Sequence, residues 1–559
     1  MGLVVNNLDG PALLYENVLG VPSTMVDFGG YSVSYKKRSG ALPHWNIGTR
    51  GWLSHSSGRR IADDFGGAIL VQWPSGAQEA FTLMPGELNF LRPGEGSSMG
   101  VKDSPLPAKY QVALPDTLPF GHAEDAYTSF VQTPLLLEGV DEMGPAGAVW
   151  GDYVYVGASF RKTPFWAREH QGNWDTVQIV KDLEYEDTDA ALVTLGNGQQ
   201  ALIVVSGSSQ LPNSNERQQD RYYTTPGTTS SGVVIEGPGT NASAVAVLDV
   251  NGDGIEDVFV GERSVWNDYG AAPEHAVYFG TNEGALEWRS QQWTHNLGMI
   301  TDAIAVDLNG DGRKELTVAT DWGSVQKIDF ASGSPVITKL TEASLWRHLD
   351  AADIDQDGDL DLLAGAIGEN HGIHLGVGEP LELWIKDLDN NGDRDFLYSY
   401  VNQGERYPLF GRDELIKESV QYRKFYLKNR DFSGKPFDKL FEGALEGAQH
   451  FSVDMTQSVL LINDGGKFKP YSLPGRANRA PLTASWFDGD TWWIGGGSDA
   501  FHTSIGTVEN MCGMGLLWGQ LGPESKPSNY LLRGSVRAFL PYKNGTLALM
   551  NDGPALYLK

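Results

Sequence analysis

Four nonapeptides of one grammar constrain this chain more than anything else in it: "DVNGDGIED" from Asp249, "DLNGDGRKE" from Asp307, "DIDQDGDLD" from Asp353 and "DLDNNGDRD" from Asp387. Side-chain oxygens stand at positions 1, 3 and 5: Asp249, Asn251, Asp253; Asp307, Asn309, Asp311; Asp353, Asp355, Asp357; and Asp387, Asp389, Asn391. Position 6 is glycine each time, where the chain must turn sharply through conformations that other residues resist. Position 9 is a carboxylate each time, namely Asp257, Glu315, Asp361 and Asp395. Such a turn aims alternate oxygens at one centre, and the main-chain carbonyl at position 7 (Ile255, Arg313, Asp359, Asp393) adds another. The set suits a hard cation with six or seven oxygen ligands, and calcium better than magnesium, which demands a stricter octahedron. Thirteen carboxylates in the sixteen positions 1, 3, 5 and 9 would repel one another severely without a cation. About four Ca²⁺ ions are therefore expected. Asp, Asn and Gly also make good turns for their own reasons, and this is the competing account of any single copy.

These are not EF-hands. An EF-hand needs a bidentate Glu at position 12 and a following helix; position 12 here is Val260, Val318, Ala364 and Tyr398. The loops lie between short apolar runs, "AVAVL" and "VFVG", "AIAV" and "LTVA", which read as strands. The unit is a strand–loop–strand hairpin.

Loop starts are 58, 46 and 34 residues apart (249 to 307, 307 to 353, 353 to 387), an irregular form of the 40–60-residue repeat expected of propeller blades. Related hairpins without the full acidic set occur at 144–159, 189–208, 482–498 and 536–559. The expected fold is all-β, a β-propeller over residues 136–559. Seven blades are favoured and eight are possible, because Asp387 follows Asp353 too closely to show whether it opens its own blade. Residues 411–450 are rich in helix formers and charge and read as a helical insertion.

At this point the residues resemble a known family. "FVQTPLLLEGVDEMGPAGAV", "GMITDAIAVDLNGDG", "AADIDQDGDLDLLAG" and "RYPLFGRDELIK" are similar to FG-GAP/VCBS repeat proteins of the cartilage acidic protein type. The resemblance covers roughly residues 120–559 and implies an integrin-alpha-like propeller with calcium in its loops. "VQWPSG", within the strand-rich residues 21–100, resembles the ASPIC/UnbV domain that accompanies such propellers, so a small β-domain is expected there. Residues 1–20 look like the closing hairpin of a preceding, missing propeller, and 101–135 read as a linker.

A net charge of −29 argues against nucleic acid or an anionic membrane surface as partner. No stretch approaches the ~20 apolar residues of a membrane span. The single cysteine, Cys512, rules out an internal disulfide or a Cys-based zinc cluster. No specific catalytic motif is present. "HGIH" (His371, His374) reads as a solvated loop before a ligand pair, and Ser498, Asp499, His502 and Ser504 are triad residue types without known geometry. Trp492 and Trp493 could stack on sugars or fill a core. The expected function is a secreted or cell-surface, non-enzymatic module that binds or displays a glycan or protein partner. A calcium-dependent polysaccharide lyase or hydrolase and a structural subunit of an extracellular assembly are the alternatives.

Overall fold

The structure, a computed structural model, describes the strands within residues 3–83 as backbone and most of residues 146–558 with side chains. Segments 84–131, 135–142, 208–219, 499–507, 510–513 and 528–534, with several shorter ones, lie outside the described residues, as do Asp499, His502, Ser504 and His374. The chain divides into two compact units, Met1–Ser129 with Asp499–Thr507, and Phe130–Ser498 with Val508–Lys559. Among the described residues no helix is long and apolar enough to cross a membrane.

The first unit holds two four-stranded antiparallel sheets. The hairpin of Leu3–Asn7 and Gly10–Tyr15 shares its sheet with Trp45–Ile47 and Leu53–His55, through Leu14 opposite Trp45. The strands Gly67–Gln72 and Gln78–Leu83, which flank "WPSG", pair with each other in the second sheet.

The second unit is a ring of seven four-stranded antiparallel blades. Blades 1 to 4 are consecutive meanders over 143–178, 186–234, 242–288 and 299–339. Blade 5 uses Ser344–Ala352, Asp361–Ala366, Val459–Asp464 and Lys467–Ser472. Its first strand also joins it to blade 4, with Leu345 opposite Asp321 and Ser344 opposite Gly323. Blade 6 uses Ala484–Phe487, Trp492–Gly495, Met514–Gly519 and Gly522–Pro527. Blade 7 takes three strands from 536–558, and its fourth is Gln132–Pro134, paired with Leu556–Leu558. The ring is thus closed by joining the two ends of the propeller segment, and part of the stretch expected to be a linker is its closing strand.

The second strand of each blade is buried along nearly its whole length, with an apolar middle, because it is covered by blades on both sides. Asp257–Glu262 and Asp361–Ala366 are buried at every residue. Seven apolar cores fill the seven gaps between neighbouring blades. Trp166, Tyr155, Leu202 and Val204 join blades 1 and 2; Phe259, Ile300 and Val318 join blades 3 and 4. The series returns to its start with Val154 and Phe165 of blade 1 against Tyr542 and Leu547 of blade 7. Such radial repetition protects strand edges without a hydrogen-bonded barrel.

Glycine near the end of the second strand permits this close fit. A Cβ on Gly207 would lie 2.5 Å from the Ala242 carbonyl oxygen, and one on Gly365 would lie 2.5 Å from that of Leu482. A second device recurs on the innermost strands, which carry a bulge in blades 2, 3, 4, 5 and 7. At the bulge a hydroxyl donates to a carbonyl of the next blade: Thr188 to Ala242 (2.9 Å), Ser243 to Ile300 (2.6 Å) and Thr301 to Trp346 (3.0 Å). Thr483 repeats the contact from blade 6 to Val536 of blade 7 at 2.6 Å. Ser243→Ala is expected to cost about 1 kcal/mol in urea unfolding, the worth of one such bond, with the apolar core unchanged.

The fourth acidic loop does not open a blade. It lies in an extra four-stranded sheet, Leu381–Lys386, Asp395–Asn402, Glu405–Pro408 and Gln449–Val453, placed between the second and third strands of blade 5. Short helices at Arg412–Glu418, Asn429–Phe432 and Phe437–Leu440 cover this sheet. Leu415, Tyr422, Tyr426, Phe432 and Phe437 form a core there with Leu397. The insertion is therefore larger than the helical segment 411–450, and it carries a sheet of its own.

Candidate metal centres

Each loop joins the first two strands of its sheet, and all four share one pattern of bonds. The position-1 carboxylate accepts main-chain N–H groups from positions 5 and 6. Asp249 takes those of Asp253 (3.2 Å) and Gly254 (2.8 Å), and Asp307 those of Asp311 (3.2 Å) and Gly312 (2.8 Å). Asp353 takes Asp357 and Gly358 (both 3.1 Å), and Asp387 takes Asn391 (3.1 Å) and Gly392 (2.9 Å). The position-5 oxygen accepts the N–H of position 7: Asp253 from Ile255, Asp311 from Arg313, Asp357 from Asp359 and Asn391 from Asp393, at 2.7–2.9 Å.

Position 9 begins the following strand and is buried, with Asp257, Glu315, Asp361 and Asp395 each 4 % exposed or less. One of its oxygens accepts the N–H of position 2, from Val250 (2.9 Å), Leu308 (2.7 Å), Ile354 (3.0 Å) and Leu388 (2.8 Å). Gly254, Gly312, Gly358 and Gly392 have φ of +85°, +87°, +103° and +96°. Position 4 is left-handed as well, at Gly252, Gly310, Gln356 and Asn390. The kink that brings the oxygens together thus uses two left-handed residues, one on either side of position 5, of which the sequence marks only the second in every copy.

Loops 3 and 4 each gather three carboxylates. Oxygens of Asp353, Asp355 and Asp361 lie within 4.8 Å of one another, as do those of Asp387, Asp389 and Asp395. These two triads are able to hold a metal ion. In loop 4, Oδ1 of Asp389 is buried without a hydrogen-bond partner, a costly arrangement that a cation would relieve. In loops 1 and 2 an asparagine stands at position 3. Asn251 donates to Asp253 (2.9 Å) and Asn309 to Glu315 (2.5 Å), while the amide oxygens accept the N–H of position 5.

Burial pushes the Asp257, Asp361 and Asp395 carboxyls up to about 6 against the pull of their N–H donors, and neighbouring loop carboxylates add to the rise. Glu315 is raised by burial in the same way. The oxygens are held inward where their own charges oppose ionisation, and a cation at the centre would reverse that balance.

The other sequence candidates are placed differently. Trp492 and Trp493 are core residues in two different gaps, their indole N–H groups bonded to Asp350 and Asp488, both at 2.7 Å. They form no stacking platform. His371 meets the Thr456 hydroxyl at 3.2 Å.

A polar cluster that sequence reasoning missed lies on the innermost strands of blades 2, 4, 5 and 6. His348 Nδ1 is 3.0 Å from Asp302 and its Nε2 is 2.9 Å from the Ser485 hydroxyl. Ser485 in turn donates to Asp350 at 2.5 Å. Every donor in the chain Asp350–Ser485–His348–Asp302 is used only when the ring is an imidazolium. Burial pulls the His348 pKa down, but the hydrogen bond and charge of Asp302, with Asp350 and Asp189, outweigh it and hold the group above its usual value. Asp189 is pushed up to about 7 by burial and by Asp302. Both shifts favour the proton-bound native state. Their stabilisation is present below the unfolded-state values and is lost as pH rises through the folded ones. With calcium held saturating, the melting temperature is expected to fall between about pH 6 and 8, with a smaller slope in His348→Gln. The recurrent "DTDAALV" and "ITDAIAV", which place Thr188–Asp189 and Thr301–Asp302, were the available signal.

No family model matches the chain, and no curated protein matches it. Solved propellers are similar to it at low identity. The Neurospora crassa Pan2 WD40 domain is 10% identical over 77% of this chain and 94% of its own, with a TM-score of 0.39. Virginiamycin B lyase from Staphylococcus aureus is 10% identical over 77% and 99%, at 0.38, and the computationally designed Ika8 protein 13% over 75% and 97%, at 0.36. At such scores these likenesses add nothing to what the blade order already establishes. The chain is a β-propeller with acidic loops, two of which gather carboxylate triads fit for a metal ion.

Proposed function

We propose that the chain is a secreted or cell-surface calcium-binding β-propeller of the FG-GAP/VCBS type, acting as a non-enzymatic binding or scaffold module for a glycan or protein partner. The observation that carries this reading is the fourfold recurrence of one bond pattern, ending in a buried carboxylate, with the Asp389 oxygen left unpaired. In each loop the oxygens of positions 1, 3, 5 and 9 and the carbonyl of position 7 would hold the ion. All are hard donors suited to Ca²⁺. Loops of this kind in extracellular modules bind at roughly 10⁻⁴–10⁻³ M, which fits calcium levels outside cells.

The ion would neutralise the loop and fix the ends of two strands, so it braces the blade that displays the partner-binding surface. Elemental analysis of protein equilibrated in about 10 mM calcium, roughly ten times the weakest such Kd, tests the reading. About four calcium ions per chain are expected, and two in a variant with Asp361→Ala and Asp395→Ala. Absence of calcium from the unaltered protein would overturn the assignment.

A further inference from the structure

A groove lies on the inserted module, away from the acidic loop, where the hairpin of Asp395–Asn402 and Glu405–Pro408 faces the turn that follows the helix Asn429–Phe432. It has a volume of about 660 Å³, within the ~300–1,000 Å³ typical of small-molecule sites. Tyr400 and Tyr407 are directly opposite each other on the two strands, and their rings are 6.2 Å apart at 38°. Cross-strand partners share a face, so the two rings form one aromatic surface in the groove. Phe410 and Phe432 add apolar lining, and Asn402 and Asn429 supply amide donors and acceptors. The Tyr407 hydroxyl is committed to Glu405 at 2.6 Å, which holds the ring in place.

Aromatic faces beside amides suit a sugar, whose apolar C–H face stacks while its hydroxyls pair with amides. The charge at the rim narrows the class. Lys435 lines the groove, is exposed, and contacts the Tyr426 ring at 5.6 Å, with no carboxylate partner among the described residues. Arg412, the other cation lining it, is committed to Asp413 and to the Tyr426 and Leu427 carbonyls, and Glu405 is a carboxylate in the same lining. Lys435 is therefore the cation left to meet a ligand, on a chain of net charge −29.

We propose that this groove binds an acidic carbohydrate, with a sugar ring on Tyr400 and Tyr407 and a carboxylate at Lys435. This rests on the reading of the chain as a glycan- or protein-binding module, and adds the place and the ligand class. It does not depend on the propeller face.

The test is calorimetric titration of the calcium-saturated full chain with oligogalacturonate, alginate and hyaluronan hexamers, and with neutral cello- and xylo-hexaoses. At least one acidic hexamer is expected to bind, weakening as salt rises, with the neutral ones at least tenfold weaker. Tyr407→Ala should reduce that affinity tenfold or more. Lys435→Gln, at an exposed position that leaves the fold intact, should reduce it several-fold and flatten its salt dependence. Binding unaffected by either substitution would place the glycan elsewhere, overturning this inference while leaving the broader function standing. Equal binding of neutral hexaoses, or no binding by any acidic hexamer to protein carrying its calcium, would also overturn it.

Discussion

Protein in excess EDTA is expected to melt far below the same protein in millimolar calcium. A ligand that binds only the native state stabilises it by RT ln(1 + [L]/Kd), about 0.4–1.4 kcal/mol per site for millimolar calcium at a Kd of 10⁻³–10⁻⁴ M, and the sites add. Three of the four loops sit in adjacent ring blades and the fourth in the inserted module, which packs on blades 3 and 4 through Phe396 against Tyr269 and Tyr398 against Trp322. Asp361→Ala should lower the melting of the ring. Asp395→Ala should lower that of the module more than that of the ring, which the module touches through Arg394 and Phe396. Scanning calorimetry separates the two, and magnesium at equal concentration should restore little of the loss. Superimposable melts with and without EDTA would leave the acidic loops as turns and nothing more.

Arg221→Met is expected to destabilise the ring by about 3–5 kcal/mol, the usual cost of leaving one member of a buried ion pair uncompensated. Arg221 and Asp187 are 1% and 0% exposed, and they face each other between blades 1 and 2. The guanidinium also donates to Tyr223 (3.0 Å), Ser206 (3.1 Å) and Tyr155 (3.3 Å). The second Asp187 oxygen accepts from the Tyr155 hydroxyl (3.1 Å) and the Ala158 N–H (2.9 Å). Removing the cation therefore strands a carboxylate already bound to two blades. The double variant Arg221→Met, Asp187→Leu should recover much of the loss in urea unfolding, because no charge then remains buried. A single variant as stable as the unaltered protein would show that the pair contributes nothing.

The propeller was legible because its constraint is local. Asp249, Asp307 and Asp353 with their glycines mark the hairpins of blades 3, 4 and 5, and the apolar runs after position 9 are second strands buried on both faces. The spacing of Asp353 and Asp387 could not reveal its cause, since a third strand arriving at Val459 pairs with Asp361–Ala366 through contacts that leave no local mark. Gln132–Pro134 was hidden for a similar reason, being three residues defined only by their partner. The Ser485–His348–Asp302 chain spans three blades and has no linear motif. Within the loops, positions 1, 5 and 9 could be read directly. That loops 1 and 2 close through an asparagine amide, while loops 3 and 4 gather carboxylate triads, depended on a single residue at position 3.

The inserted module leaves the ring and returns to it through a doorway one rung wide. Ala364 is paired with Val459, and the Ala366 N–H donates to the Ser458 hydroxyl at 2.9 Å. Closing a loop across such a gap costs little more for a long segment than for a short one. Blade 5 can therefore carry a large insert on a narrow base while the sevenfold frame keeps its own register. Whatever replaces that insert between these two rungs must also cover Tyr269 and Trp322, on which the module packs through Phe396, Tyr398 and Phe451.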